Sequence, residues 1–544
     1  MTASAKKVRV TNDEKIVSIE QGRLPAHADV VIVGFGPAGA ALANLLGRYG
    51  IDTLVLDKAE DILPMPRAIA LDNEALRILQ MAGLAEDAFE KIAIPRVRLQ
   101  SPYAGEFGRV NTAGCLDGHP KLVTFYQPEL ERALRRSLAG YPNVRTVVSA
   151  EMTDFIDQGH HVVLQLAVAG GAPQTLTCRY LVAADGAGST IRTRLGIAFG
   201  GDTYQQDWLI VDARNVRAPI NDIEFTCDPD RPVPHMTAPG GRERWEFMLK
   251  PGETREQVLQ PAFIRDLLKP WANADDLEIE RTAVYRFHAR VAESFSKGNV
   301  FMVGDAAHIT PPFVGQGMVA GLRDVANLGW KLAWVLQGRA APAILGSYDR
   351  ERRPHARAMI DLARAMGLLI KPVNPAAGAF SSQLVKNLRR LPPVRPLFDE
   401  LKIKPRNRFK EGLFMPRVRH PRLDRGNHLP QAWLRGADGQ GAWSDDAMGE
   451  QLTLIGFGVD PQRLLSPAQR AAWEVAGGGY LQLRHRGQAG GSGWEDLTGQ
   501  LVPELAPVGW AAVVRPDRVI VHDGPADRID RLVGESLALL AGRG

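Results

Sequence analysis

Short runs of β-branched apolar residues punctuate the first third of the chain. Asp29-Val-Val-Ile-Val33 is one; a stretch of helical spacing follows to Tyr49, and Thr53 to Asp57 forms a second run. Continuous apolar runs separated by a helix predict a βαβ opening around a buried parallel sheet. Residues from about 95 to 126 read as mixed strand and loop, Gln127 to Leu138 as a helix with Pro128 near its start, and Tyr180 to Ala184 as another buried strand. From about 200 to 290 the pattern becomes alternating, as in Arg244-Trp-Glu-Phe-Met-Leu249 and Ala283-Val-Tyr-Arg-Phe-His-Ala289. That change predicts an antiparallel sheet inserted into the α/β framework. Asn299-Val-Phe-Met-Val303 returns to the continuous style, and Gln316 to Gln337 and Tyr348 to Ile370 predict long helices. Residues 371–415, rich in Pro, Arg and Lys, are expected to be a connection. Beyond it, Gln451-Leu-Thr-Leu-Ile455, a hairpin pattern from Ala511 to Val521 and a helix after Pro525 predict a small separate α/β domain.

Composition narrows this picture. A chain of 544 residues, 45% hydrophobic and 23% charged, can bury several cores. The net charge of +5 comes from 66 basic against 61 acidic residues with no long basic block, so nucleic acid is not an expected partner. A mild pull on anionic substrates is the reading that remains. Met1 to Ala28 is polar and is expected to be a loose extension, while the uncharged run Val30 to Gly47 is broken by glycines and Pro37, so no membrane span is expected. Cys115, Cys178 and Cys227 are far apart and none follows, which points to neither a disulfide framework nor a metal site and fits a reducing cytoplasm.

Three stretches carry chemistry. In Gly34-Phe-Gly36-Pro37-Ala38-Gly39 the glycines allow a tight turn and let backbone approach a pyrophosphate at a helix N-terminus; Asp57, ahead of Lys58, closes the next strand and can accept from ribose hydroxyls. A packing turn is the alternative, and the strand, helix and acid at their spacing argue against it. Ala184-Asp185-Gly186-Ala-Gly188-Ser189 follows another strand and, alone, reads better as a surface loop. Gly304-Asp305-Ala-Ala-His308 is followed by Pro311-Pro312-Phe-Val-Gly315-Gln316-Gly317-Met318, then a helix with Asp324 and Asn327. Its aspartate can hold a polyol hydroxyl, and its Gly-rich turn aims N–H groups at an anion.

Together and in this order, the three stretches resemble the class A FAD-dependent aromatic hydroxylases, over about residues 28 to 370, on the phenol hydroxylase branch. Pro66-Arg67-Ala-Ile-Ala-Leu-Asp72, Arg244 to Leu249 and Tyr285-Arg-Phe-His-Ala-Arg290 are most similar to the 3-(3-hydroxyphenyl)propanoate hydroxylases. The resemblance implies a Rossmann-like FAD-binding domain with an inserted antiparallel β-sheet substrate domain and a C-terminal thioredoxin-like domain lacking cysteines. Its divisions would be an N-terminal extension (1–27), FAD-binding residues 28–199 with some substrate-domain strands near 95–126, the substrate sheet (200–290), the FAD-binding return with long helices (291–370), a connection (371–415) and the thioredoxin-like domain (416–544). It also implies that Gly34, Gly36, Pro37, Ala38, Gly39, Asp57 and Lys58 hold the ADP half of FAD. Asp185 and Gly186 would serve FAD and the nicotinamide donor, Asp305 the ribityl chain, and Pro312, Gly315, Gln316, Gly317 and Met318 the isoalloxazine edge, with Arg67 and Gln127 lining the flavin. Val314 and Val319 depart from the family's usual GGQGMNAG and change the pocket wall. NADH or NADPH would reduce the flavin and leave, and O₂ would form a flavin C4a-hydroperoxide that hydroxylates a phenol ortho to its hydroxyl. No second strand-GxGxxG-helix unit occurs, which disfavours a two-domain reductase; an FAD-dependent oxidase or reductase, or a hydroxylase of another phenol (nitrocatechol, hydroxybiphenyl, resorcinol or polyketide phenol), stays open. A homodimer is a further implication.

On the substrate side, Tyr285 and Phe287 share one strand face and Arg286 and His288 the other. The expected catalytic candidates are Tyr285, His288 and Asp72, with a helix N-cap as the alternative for Asp72. His235 and His308 are further candidates for phenol deprotonation. Arg244 and Arg286, with Arg242, are candidate anchors for a substrate carboxylate, with exposed arginines on an edge strand as the alternative; Trp245, Met248, Phe287 and Pro312 are candidate walls of an aromatic pocket, with core packing as the alternative.

Overall fold

The computed structural model describes residues 24–168, 171–216, 219–272, 276–400, 404–416, 422–488 and 492–543. The expected N-terminal extension thus falls, up to residue 23, outside the described residues. Strand His27–Val33 leads through a turn into helix Pro37–Arg48, and Thr53–Leu56 returns alongside it in parallel, as the opening pattern predicts. Val144–Val147, Gln174–Ala183 and Val300–Met302 extend the same parallel sheet, with Val30 to Ile32 and Leu54 to Leu56 wholly buried between helical layers. Such strands must be apolar on both faces.

The second sheet has eight strands in the order His308–Ile309, Glu278–Ala292, Phe199–Arg214, Arg242–Met248, Val233–Ala238, Ile223–Thr226, Arg96–Ser101, Gly105–Asn111. Its two faces bury different things. Leu209, Val211, Trp245 and Phe247 pack under helix Pro261–Leu268, while Trp208, Ile210 and Met248 face the opposite way, toward Phe313. Leu122–Phe125 belongs to neither large sheet; it pairs with Ala70–Asp72 and Lys91–Ala93.

Residues 371–415 do more than connect. Helix Pro375–Leu388 lies against the outer strands of the second sheet, where Lys386 donates to the Ala104 carbonyl and Arg389 to that of Phe107. The proline and basic content misled here because two of the basic side chains, Lys386 and Arg389, reach neighbouring carbonyls rather than solvent. A seven-stranded mixed sheet with flanking helices forms the C-terminal unit, and its Leu454, Val513 and Leu532 join the core of the first sheet. Among the described residues, no helix is long and apolar enough to cross a membrane.

Candidate functional site

The glycines of the first turn are required by contact. Gly34 has φ +107°, and a Cβ there would fall 2.2 Å from the Ala184 carbonyl oxygen; a Cβ on Gly39 would fall 1.9 Å from that of Gly34. These contacts seat the first turn against the start of the Asp185 stretch. Gly304, at φ +59°, lies against Ala38 and Gly321, which brings the third stretch to the same place. Motifs separated by more than a hundred residues thus meet around one helix N-terminus.

The donors and acceptors there suit a dinucleotide. Helices Pro37–Arg48 and Gly317–Leu336 both begin without a side-chain cap, so their first-turn N–H groups remain available to an anion. A Cβ on Gly36 would meet no protein atom within 4 Å, and the side chain of any replacement would grow from the helix start into this cradle. Asp57 accepts from the Phe35 and Ala59 amides at 2.7 and 2.8 Å, which fixes its carboxylate at the strand end, while neighbouring Lys58 is exposed. Half-buried Asp185 has one buried oxygen, Oδ1, without a partner; desolvation pushes its carboxyl upward, against the hydrogen bond from Ser189. Half-buried Asp305 makes no hydrogen bond through its carboxylate among the described residues, and burial raises it too, with His308 and Arg67 acting in opposition. Carboxylate oxygens of this kind can accept from hydroxyl donors such as those of a ribose or a polyol chain.

Behind these groups lies a rigid support. Fully buried Asp324 accepts from the Gly304 amide, contacts His308 at 2.6 Å and pairs with Arg352, fixing the turn that carries Asp305. His308 is therefore a prop for that turn and not a base for a substrate. Gln316 is also held inward: its amide donates to Asp72 and accepts from Arg323, leaving its backbone for the helix start. Gln127 accepts from the amides of both Arg67 and Ala68 at 2.8 Å, which shapes the Arg67 loop. Val314 and Met318 are half-buried beside exposed Gly315.

The substrate-side expectations divide. Tyr285 and Phe287 lie on the face that looks toward the third stretch: Phe287 stacks on Trp208 at 5.3 Å, and both rings meet the edge of Phe313, the residue after Pro312. Tyr285 accepts a hydrogen bond of 2.6 Å from Arg281. His288 and Arg286 point away from that face. The former contacts Thr203 at 2.9 Å, and the latter, largely exposed, pairs with Asp207, so neither reaches the site. Trp245 is wrong for the same reason: it lies on the helix-covered face, stacked on His235, which in turn contacts Glu243. Arg242 pairs with Glu280 and stands over Tyr126.

Asp72 takes its alternative reading. It caps helix Asn73–Met81 through the Ala75 amide, and Arg323 and Lys404 overcome its burial to hold the carboxyl below its usual range; so engaged, it is no proton acceptor. Arg244 does face the site, but Asp212 takes its guanidinium in a bidentate pair, and its remaining N–H groups reach the carbonyls of Pro66 and Arg67. Its role is to hold the Arg67 loop, leaving no free fork for a carboxylate. Arg281 donates to the same Pro66 carbonyl, to Asp212 and to Tyr285. Sequence reasoning passed over Arg281, Trp208, Phe313 and Glu246. The signal for Glu246 was a carboxylate two residues from Arg244 and two from Met248, on the same strand face.

Residues 27–363 match the family model described as FAD binding domain, and residues 426–539 match the HcaD C-terminal domain. Among curated relatives, the 3-(3-hydroxy-phenyl)propionate/3-hydroxycinnamic acid hydroxylase 2 of Burkholderia vietnamiensis is 38% identical over 84% of both chains. The 3-(3-hydroxy-phenyl)propionate/3-hydroxycinnamic acid hydroxylase of Escherichia coli O139:H28 is 35% identical over 94% of both. Two solved structures share the fold: the flavin-dependent monooxygenase PieE with FAD and substrate (TM-score 0.79, 22% identity, 94% of this chain and 99% of that one), and aklavinone-11 hydroxylase with FAD and aklavinone (TM-score 0.76, 21% identity, 96% and 100%).

Proposed function

Because the chain belongs to the class A flavoprotein hydroxylases and is an FAD-dependent aromatic-ring monooxygenase, we propose that its substrate is 3-(3-hydroxyphenyl)propanoate or a closely related substituted phenol, hydroxylated ortho to the existing hydroxyl. The observation that carries this reading is the apposition of two surfaces. On one side, carboxylate oxygens without a protein partner and uncapped helix starts converge around Gly36, Asp185 and Asp305; on the other, the aromatic face of Trp208, Tyr285 and Phe287 meets them across Phe313.

Gly34 to Gly39 and Asp57 would hold the ADP half of FAD, Asp305 the ribityl chain, and the backbone of Gly315 to Met318 the ring edge. Bound there, FAD supplies electron transfer from NADH or NADPH and activation of O₂. The protein's own share is different. Trp208, Phe287 and Phe313 exclude water and orient a ring, and the Arg281–Tyr285 pair places a polar tip among them. The C-terminal unit we read as thioredoxin-like; with no cysteine after Cys227 it has no dithiol to offer and serves packing or self-association, for which a homodimer is the form we expect. Three cysteines without a disulfide suit a reducing cytoplasm.

The test is isotopic. Protein loaded with FAD, supplied with NAD(P)H, ¹⁸O₂ and 3-(3-hydroxyphenyl)propanoate, should accelerate donor oxidation and give one catechol product per donor, its new oxygen labelled. Product oxygen from water, or donor consumption with no phenol oxygenated, replaces this reading with an oxidase or reductase.

A further inference from the structure

Glu246 sits in the middle of the sheet face described above. Its row across the sheet is otherwise apolar: Ile210 and Ala283 flank it on one side, and Phe225 and Leu99 lie beyond Pro234 on the other. The next row one way holds Asp212, Arg244 and Arg281; the next row the other way holds Trp208, Met248 and Tyr285. The side chain is 7% exposed, yet among the described residues no hydrogen bond or ion pair engages its carboxylate. Its neighbours are engaged elsewhere: Arg244 donates to Asp212 and the Pro66 loop, and Arg281 donates through its two terminal nitrogens to Asp212, Pro66 and Tyr285, with its Nε left over. An ionisable group left without a hydrogen-bond partner at a largely buried position is costly and persists where it has work to do.

We propose that Glu246 is the proton acceptor for the substrate's phenolic hydroxyl. The inference rests on the phenol hydroxylase reading and deepens it by naming the base. In the step, the O–H bond breaks, the proton moves to a Glu246 carboxylate oxygen, and the electron pair stays on the phenol oxygen, where it raises the nucleophilicity of the ortho ring carbon. The proton leaves to solvent after product release. Burial, only partly opposed by Arg244, pushes the Glu246 carboxyl up to about 6, near the value at which a carboxylate both ionises at neutral pH and holds a proton well. The charged and titratable groups facing it are Arg244 on its own strand, Asp212 on the central strand, and Arg281 and Tyr285 on the strand beyond.

The experiment compares FAD-loaded wild type with Glu246→Gln and Glu246→Asp, using 3-(3-hydroxyphenyl)propanoate, in two ways. Without donor, the ultraviolet band of bound phenolate is followed from about pH 5 to pH 9; with donor and O₂, the rate of product formation is followed over the same range. Expected are a phenolate band and a product rate in wild type that both fall below about pH 6, loss of both pH dependences in Glu246→Gln with a kcat lower by on the order of 10²-fold, little change in KM, and partial recovery in Glu246→Asp. A Glu246→Gln enzyme that keeps the wild-type rate and pH profile overturns the assignment. Should that variant fail to load FAD, the wild type alone decides: a bound phenolate band and a rate with no acidic limb overturn it equally. If bound phenol ionises through Glu246 but no phenol gains oxygen, the hydroxylase reading fails while the proton acceptor stands.

Discussion

At the scale of single residues, a base without a partner has a thermodynamic signature apart from catalysis. The folded Glu246 carboxyl titrates near 6, above its ordinary value of 4.5, so the folded state binds its proton more tightly than the unfolded chain. Linkage then runs against stability as pH rises: nothing is lost below about pH 4.5, the cost grows through pH 6, and above that roughly 2 kcal/mol is forfeited. Glu246→Gln, uncharged at every pH, is expected to be more stable than wild type at pH 8 and equal to it near pH 4.5, as denaturant midpoints at the two pH values will show. Asp305→Ala acts in the other direction. By removing a charge-assisted acceptor, it should weaken FAD retention by about 1.5–3 kcal/mol, measured by fluorescence titration of the apoprotein; unchanged affinity in a folded variant removes Asp305 from the cofactor. Why the sequence surrendered the second acid and hid the first follows from geometry. Asp305 sits in a motif whose local chain makes its own context, whereas Glu246 acquires meaning only when it is known which face of its strand is covered by helix. Alternation alone says that Trp245 and Arg244 lie on opposite faces, and both were nevertheless candidates for one pocket.

Among elements, the strand-turn-helix units were legible because each is specified within about thirty residues. The turn before helix Pro37–Arg48 needs Gly34 at positive φ and Gly39 at backbone contact, requirements visible as fixed spacing. Gly36 differs: no protein atom crowds it, so packing does not require its lack of a side chain, whereas close approach of a pyrophosphate in the proposed reading would. Gly36→Val is therefore expected to fold with near wild-type stability and to purify without FAD, a pairing that separates it from Gly39→Val, which should misfold. Absorbance at the flavin band together with a melting curve reads both. Helix Pro375–Leu388 was missed because its partners include the carbonyls of residues 104 and 107, nearly three hundred positions away, and no local pattern encodes such contacts.

For the molecule as a whole, the joint between the C-terminal unit and the cofactor framework is a buried charge network. Glu351 receives Arg515 and Lys331, with Asn327 donating to it and Asp517 closing the group, all of them buried. Removing one charge strands the others, so Glu351→Gln should cost about 3–5 kcal/mol and loosen the C-terminal unit, seen as a separate, earlier phase in thermal unfolding. Nothing local in the sequence marks this network, since pairing across 164 positions leaves no periodic trace. A second long-range tie has a different consequence. One peptide carbonyl, that of Pro66, is gripped by both Arg244 and Arg281, and Arg281 grips Tyr285 in the same stroke. The loop that would line the cofactor and the wall that would touch the aromatic ring are therefore parts of one lever. Any occupant that shifts Tyr285 changes the grip on the loop, and occupancy at the loop changes the grip on Tyr285, with equal and reciprocal free energy. Two binding isotherms, ring compound with and without FAD and FAD with and without ring compound, must then be displaced by the same factor, and replacing Arg281 by Met should shrink both displacements together.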